Sequence, residues 1–258
     1  NDPKRRTTGR RLSYANHLTD GKHPLVARVM VNRVWAHHFG KGLVATLGDF
    51  GALGEKPTHP ELLDWLANDF MASGWKLKRL HKLIMTSSAY RQSSRRTTEL
   101  DRVDPENRLL GRMTVRRLDA EALRDSILAV SGKLNLTLHG KPAPVKEDDV
   151  GQIVIGKENK DGEGKPGKAI PLDGAEYRRS LYVQARRSRP LATLDTFDLP
   201  AMSPNCDERS ASTVAPQALM LMNSKFIGDF ANHFADRVNA DTAGGSMDAR
   251  IVRTWELA

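Results

Sequence analysis

The chain has 258 residues, 39% of them hydrophobic, which suits one large or two small globular domains. Its 40 Lys and Arg residues against 31 Asp and Glu residues give a net charge of +9. No run of about 18 apolar residues is present, so the sequence predicts no transmembrane helix. The single cysteine, Cys206, excludes an internal disulfide and a covalent haem attachment motif within the chain.

The ends of the chain set the expected domain organisation. Residues 1–23 are polar and basic, and we expect a linker or surface arm there. The chain starts without Met and stops inside a helical pattern, so we expect a piece of a longer protein, truncated at its C-terminus. Residues 24–258 are expected to form a single, mainly helical domain that carries a polar loop insert at 139–176.

Apolar residues at helical spacing predict a series of helices along this domain. Proline at the first helical position and glycine after the last one mark several of their ends. Asp119 is a good N-cap for the fourth helix. The predicted helices cover residues 24–39, 60–73, 76–89, 120–130, 216–222, 225–238 and 246–257.

Two short segments have the composition of strands. Residues 152–155 are mostly apolar, and residues 180–186 alternate apolar and polar side chains. We expect these two segments to pair. The predicted fold class is therefore mainly α, a multi-helix globular domain with a small β-hairpin or sheet around residues 150–187. The charged stretch 157–168 is expected to be a peripheral, mobile loop.

Several motifs match a known family pattern, and the most extensive is the run RVMVNRVWAHHFGKGLV at residues 28–44. Others are DFG at 49–51, PTHPELLDWLA at 57–67, SSAYRQ at 87–92, RLDAEALRD at 117–125, RRSLY at 178–182 and APQAL at 215–219. Together they resemble the PSD-type domain, a planctomycete-type domain of unknown function. That domain lies C-terminal to cytochrome-c-like domains in exported multidomain proteins.

The resemblance implies a location and partners. It implies an exported, periplasmic protein in which a cytochrome-c-like domain of the same polypeptide precedes this chain. Haem is then expected only in the upstream domains, and no cofactor is expected in this chain. Sulfatases encoded near such proteins associate the family with polysaccharide breakdown, so an acidic polysaccharide is a further expected partner.

Three polar residues on the first predicted helix form the best candidate catalytic group. Asn32, Arg33 and His38 lie on a helix that is apolar all round, which indicates a buried helix whose polar groups need partners. The glycine-rich segment 40–58 follows and contains Asp49. His38 and Asp49 would form an acid/base pair, with Arg33 holding an anionic substrate group.

The alternative interpretation of this group is purely structural. In that interpretation the polar residues form a buried network of hydrogen bonds and ion pairs, which is the usual fate of buried charges. Asp69, which falls inside an apolar arc of its helix, would then pair with Arg28 or Arg33.

The sequence predicts no metal site. His37 and His38 are adjacent on a helix and point about 100° apart, so they cannot chelate one ion from one face. The chain contains neither an H-x-x-x-H nor an HExxH pattern. A metal would need ligands brought together by folding, from His59, His81, Asp49 or Glu61.

Four arginines are candidate anion-binding residues. Arg116 and Arg117 precede a predicted helix N-terminus and would form an anion cradle there, or they simply make surface ion pairs. Arg178 and Arg186 would share one face of a strand with Tyr182 and bind an acidic chain such as a sulfated glycan or a nucleic acid. The other interpretation is a solvated basic edge.

The function predicted from the sequence is that of an accessory domain of an exported cytochrome-c-like multidomain protein. It would support assembly, or bind a partner or a polymeric substrate, in polysaccharide breakdown. One alternative is a hydrolytic or redox enzyme that acts on an acidic carbohydrate through His38, Asp49 and Arg33. A second alternative is a basic nucleic-acid-binding module, against which the sparse aromatic residues argue.

Overall fold

Helices form most of the regular structure in the computed structural model, which describes residues 7–159, 170–200, 206 and 209–258. Within these residues there are eleven α-helices and one two-stranded antiparallel sheet, so the predicted mainly α fold with a small β element is confirmed. The chain divides into two compact units, Asn1–Arg116 and Arg117–Ala258. That residues 24–258 form a single domain stays a prediction.

Six helices lie in the described part of the first unit. The predicted helices at 24–39, 60–73 and 76–89 correspond to α2, α3 and α4. The helix α1 lies in the segment interpreted as a basic arm, and none of its residues is buried. The bounds are α1 Arg10–Thr19, α2 Val26–Phe39, α3 Pro60–Ala72, α4 Leu77–Met85, α5 Ser88–Arg91 and α6 Thr98–Val103.

The helix α2 is the centre of the first unit's core because apolar side chains occur all round it. It packs against α3 and α4, and its Trp35 and Phe39 rings stack with centroids 4.2 Å apart. The helix ends where Gly40 takes a left-handed conformation and its N–H bonds to the carbonyl of Ala36. The core consists of Val31, Val34, Trp35, Phe39, Leu43, Val44, Leu63, Leu66, Phe70, Leu80 and Ile84.

One buried amide fixes the segment that follows α2. The side chain of Asn32, fully buried, donates to the carbonyl of Val44 at 2.8 Å and accepts from its N–H at 2.9 Å. The turn between them requires glycine, since a Cβ at Gly42 would lie 2.4 Å from the Val44 carbonyl oxygen. Asn32 therefore satisfies two backbone groups that would otherwise be buried without partners.

The substitution Asn32→Ala tests this structural role. It leaves the buried N–H and carbonyl of Val44 unpaired, so we expect the free energy of unfolding to fall by about 3 kcal/mol. The control Lys41→Ala, at an exposed position in the same turn, is expected to change it by less than about 0.5 kcal/mol. Urea denaturation followed by tryptophan fluorescence measures both. Equal stabilities of the two variants would contradict the assigned role.

The second unit contains five described α-helices and the sheet. Predicted helices at 120–130, 216–222, 225–238 and 246–257 are all present, and α8 is an addition within a segment that showed no helical pattern. The bounds are α7 Ala120–Val130, β1 Val145–Glu147, β2 Ile153–Ile155, α8 Ala192–Thr196, α9 Ala215–Asn223, α10 Lys225–Asp241 and α11 Met247–Leu257. Within the described residues, none of the helices combines the length and the apolar character needed to cross a membrane.

The predicted pairing of the two strand-like segments is wrong. The strand β2 forms as expected, but its partner is β1, with Val145 opposite Ile155. In the other segment, Ser180–Tyr182 forms a 3-10 turn, and Val183 makes only a single parallel bridge to Ala143. Most of the predicted loop at 157–168 lies outside the described residues.

A hydrogen-bonded carboxylate explains why residues 180–182 turn. The Oδ1 atom of Asp125, on α7, accepts hydrogen bonds from both the backbone N–H and the hydroxyl of Ser180, each at 2.7 Å. These bonds attach the chain to the side of α7 instead of to a neighbouring strand. Val183, just after the turn, packs against the unit's core of Ala120, Val145, Leu191, Leu194 and Phe197.

Candidate functional site

The four residues predicted to form a catalytic group take separate roles in the structure. Asn32 is occupied by Val44, whereas Arg33 is exposed rather than buried. Asp49 is exposed and its Oδ1 accepts from the N–H of Gly51 at 2.7 Å, so it stabilises its own turn. The hydrogen bonds of Asp49 and His38 go to Gly51 and His81. The acid/base pair of His38 and Asp49 and the catalytic roles of the four residues stay predictions.

The expected partner of Asp69 is also different. Asp69 pairs with Arg79, at 2.6 Å, and Arg28 pairs with Asp64, also at 2.6 Å. Both pairs are partly exposed, and the hydrogen bond with Arg28 lowers the pKa of Asp64. They are ion pairs between neighbouring helices rather than a buried network.

His38 meets a second histidine. Its Nε2 lies 2.8 Å from Nδ1 of His81, on α4, and the ring of Tyr90 packs edge-on against it at 5.4 Å. One imidazole must donate and the other must accept, so the pair holds at most one positive charge while the bond exists. Burial lowers the pKa of His38, and the nearby charges of His81, Arg116 and His37 lower it further.

The lowered pKa makes the stability of the first unit depend on pH. The unfolded chain binds a proton at His38 near its ordinary pKa of 6.5, above the pKa in the folded state. The neutral form of His38 therefore makes its full contribution to the free energy of unfolding above the ordinary pKa of 6.5. This contribution is lost as the pH falls below 6.5 and through the lower pKa of the folded state. We expect His38→Gln to lose less stability than the unchanged chain between pH 7.5 and pH 5, a step of about 2.5 pH units that brackets the ordinary pKa of histidine.

Urea denaturation at the two pH values measures this difference, with His17→Gln, at an exposed position in α1, as the matched control. The control is expected to retain the full pH dependence. An equal pH dependence in His38→Gln and in the unchanged chain would show that folding does not lower the pKa of His38.

The described residues contain no group of three or more His, Cys, Asp or Glu side chains placed to hold a metal ion. The facing nitrogens of His38 and His81 are used in their mutual hydrogen bond, and Nδ1 of His59 lies 3.0 Å from the hydroxyl of Thr58. That the chain carries no metal and no cofactor stays a prediction.

The first two candidate anion-binding arginines bind groups of the chain itself. Arg116 donates from Nη2 to the carbonyl of His37 at 2.6 Å, at the C-terminal end of α2. Arg117 pairs through Nη2 with Asp198 at 2.7 Å and donates to the carbonyl of Phe197 at 3.0 Å, while its Nε and Nη1 atoms are buried without a hydrogen-bond partner. Anion binding by this pair stays a prediction.

Arg178 and Arg186 do not form the predicted stripe on one strand face. Arg178 is buried over the ring of Tyr182, with the guanidinium carbon 3.9 Å from the ring centroid, and it donates to the carbonyls of Thr137, His139 and Lys141. Because residues 180–182 form a turn, Arg186 points elsewhere and lines a cleft. Arg178 therefore stabilises the fold, and of these two arginines Arg186 is the one that a ligand can reach.

The backbone beside this cleft is held by a buried arginine of α7. Arg124 is 1% exposed and donates to the carbonyls of Glu176 and Arg178, at 2.7 and 2.9 Å, and to the hydroxyl of Ser180 at 3.2 Å. Burial lowers its pKa to about 10, which leaves the guanidinium charged at neutral pH. Arg124 and Asp125 together fix the turn that forms one wall of the cleft.

The cleft lies entirely in the second unit and has a volume of about 500 Å³. This size is typical of sites for small ligands or for a few units of a polymer. Its polar lining combines three carboxylates with three guanidiniums, a hydroxyl and an amide, and the rest is aliphatic. The polar residues are Asp119, Glu121, Asp125, Arg179, Ser180, Gln184, Arg186 and Arg209, and the aliphatic ones are Ala122, Leu181, Val183, Ala185, Pro190, Leu191, Leu194 and Leu199.

Most of the charged groups in the cleft are fixed by one another. Arg209 holds both carboxylate oxygens of Glu121, at 2.6 and 2.8 Å, and this hydrogen bonding lowers the pKa of Glu121. Asp125 is held by Ser180, and its other oxygen lies 3.4 Å from Nε of Arg179. The lining therefore presents donors and acceptors in fixed positions.

Sequence reasoning did not select Glu121, Asp125 and Arg209 as site residues, although one signal was available. Glu121 and Asp125 are four positions apart, which places both carboxylates on one face of α7. Their partners Arg209 and Ser180 are 88 and 55 positions away along the chain. No local pattern predicts contacts of that separation.

The family follows from comparison of the whole sequence. The family model PSD1, described as a protein of unknown function (DUF1553), matches residues 10–258. The chain belongs to the PSD1 family. Searches of curated proteins and of solved structures find no match to the chain. Since the PSD1 description assigns no activity, a function for the chain has to be argued from its own geometry.

Proposed function

We propose that the chain is an accessory, non-catalytic binding domain whose cleft in the second unit holds a segment of a polysaccharide. The observation that carries the proposal is the cleft of about 500 Å³, in which fixed carboxylates and guanidiniums surround an aliphatic floor. A polysaccharide offers the complementary chemistry, because each hydroxyl group both donates and accepts a hydrogen bond. The C–H faces of its sugars suit the aliphatic floor.

The state of the carboxylates supports binding rather than catalysis. A general acid at neutral pH needs a raised pKa, as in glycosidases, where one carboxyl group stays protonated. The pKa of Glu121 is instead lowered by its two bonds to Arg209. Asp125 is occupied by Ser180. Both carboxylates thus serve as fixed hydrogen-bond acceptors for hydroxyl groups.

The proposed setting is an exported multidomain protein. The sequence motifs of the chain resemble domains that follow a cytochrome-c-like domain in such proteins, so the proposed partner is that upstream domain of the same polypeptide. In this arrangement the binding domain would keep the polymer close to the other domains, which raises the effective concentration of each site on it.

The substitution Ala185→Trp tests whether the cleft is the binding site. Ala185 lines the cleft at an exposed position, and a tryptophan there fills the space that the polymer would occupy. We expect it to weaken binding of oligosaccharides about tenfold or more. The control Ala240→Trp, at an exposed position in α10, should bind as the unchanged chain does.

Isothermal titration calorimetry measures the affinities, with chitohexaose, maltohexaose and a chondroitin sulfate hexasaccharide as probes. Binding of at least one probe, lost in Ala185→Trp and retained in Ala240→Trp, is the expected result. If none of the probes binds, or if Ala185→Trp binds as well as the control variant, the cleft is not a polysaccharide site.

A further inference from the structure

The three guanidiniums that line the cleft differ in how firmly they are held. Arg209 makes two short contacts with Glu121, and Arg179 is attached to the well-fixed Asp125. Arg186 meets Glu158 at 3.5 Å, between Nη1 and Oε1. Long, exposed ion pairs of this kind contribute little to stability. Arg179 makes a contact of similar length, 3.4 Å, but its partner Asp125 is 18% exposed and is also held by Ser180, whereas Glu158 is 51% exposed. Because of this difference between the carboxylates, Arg186 is the cation of the cleft whose partner is more easily displaced.

The partner of Arg186 is itself exposed. The side chain of Glu158 is 51% exposed and that of Arg186 is 34% exposed. Glu158 lies just after β2 and is not part of the cleft lining. Its carboxylate thus contacts Arg186, a lining residue, from outside the lining, and an anionic group on a bound chain would compete with it for this contact.

We infer that Glu158 is an intramolecular competitor for Arg186, and that the polysaccharide held in the cleft is an acidic one whose carboxylate or sulfate group displaces Glu158. This inference rests on the proposed function and adds the charge of the ligand and the residue that recognises it. A planar guanidinium binds carboxylate and sulfate oxygens strongly through charge-assisted hydrogen bonds. Displacement leaves the Glu158 carboxylate in water, which costs little free energy because this side chain is already half exposed.

The carboxylates at the N-terminal end of α7 favour an acidic polysaccharide over a nucleic acid. Asp119, Glu121 and Asp125 would repel a chain that carries a phosphate at every unit, but they accept hydrogen bonds from sugar hydroxyls. The described residues that line the cleft include no aromatic side chain on which a base would stack. The ligand must therefore carry both hydroxyl groups and separated anionic groups.

The test compares three substitutions in the full chain. Arg186→Ala removes the recognising cation, Glu158→Gln removes the competitor, and Arg187→Ala removes an equal charge at an exposed neighbour outside the cleft lining. Calorimetric titrations use a chondroitin sulfate hexasaccharide and the uncharged chitohexaose. Circular dichroism confirms that each variant is folded, which is expected because all three positions lie at the surface.

We expect Arg186→Ala to weaken binding of the sulfated probe about tenfold. Binding of chitohexaose should weaken by about threefold at most, because a neutral hydroxyl loses a hydrogen bond without the charge of the guanidinium. Glu158→Gln should strengthen binding of the sulfated probe about threefold. Arg187→Ala should change it by less than about twofold. Opposite changes in affinity from Arg186→Ala and Glu158→Gln are expected if Glu158 competes with the ligand for Arg186. A diffuse basic surface would not distinguish Arg186 from Arg187.

Any one of the following outcomes would overturn the inference. Equal losses in Arg186→Ala and Arg187→Ala would show general attraction to a basic surface. Weaker or unchanged binding in Glu158→Gln would show that Glu158 does not compete. Tighter binding of a thymidine oligonucleotide or of hexaglutamate than of the sulfated probe would identify a different class of ligand. Binding of chitohexaose alone would leave the proposed function standing without the acidic ligand, whereas no binding of any oligosaccharide would remove both.

Discussion

Buried polar side chains that bond to distant backbone are the constraint on which both units depend. In the first unit Asn32, fully buried, binds both backbone groups of Val44 and thereby fixes the turn after α2. In the second unit Arg124 binds the carbonyls of Glu176 and Arg178. A polar group buried without a partner costs more than a hydrogen bond contributes, so these contacts allow each segment one position.

In the second unit this constraint also shapes the surface. Because Arg124 and Asp125 fix the turn at Ser180, the side chains that follow it are presented along one wall of the cleft. Glu121, one helical turn before Asp125, is held by Arg209. The same contacts that stabilise the fold therefore orient the groups that the proposed function uses, and they leave Arg186 paired with Glu158, an exposed carboxylate outside the cleft lining.

The sequence predicts the helices well because their ends carry local signals. Pro60 at the start of α3 and Gly40 after α2 act through the backbone alone and need no knowledge of the fold. The alternating pattern at residues 180–186 is equally local, yet it gave the wrong element, because the bond between Ser180 and Asp125 joins residues 55 positions apart. A contact between residues so far apart in the sequence outweighs a weak local preference for a strand.

The candidate site shows the same limit. The sequence indicates that Asn32 and His38 need partners, but their actual partners, Val44 and His81, follow only from the packing of α2 against its neighbours. Arg178 has the sequence appearance of a surface cation and is instead buried among carbonyls. Charge and spacing in the sequence therefore identify polar residues that need a hydrogen-bond or ion-pair partner. Only the folded structure shows whether that partner is another part of the chain or is left to a ligand.

The central claim is that the ligand surface of this PSD1 chain is the cleft beside α7. Chemical-shift mapping tests it most directly, by titrating the isotope-labelled full chain with a chondroitin sulfate hexasaccharide. We expect the largest amide shifts in residues 179–186 and in the first two turns of α7. Shifts centred instead on the end of α2 and the glycine-rich segment 40–58, around His38, would contradict it and would favour the catalytic interpretation of that region.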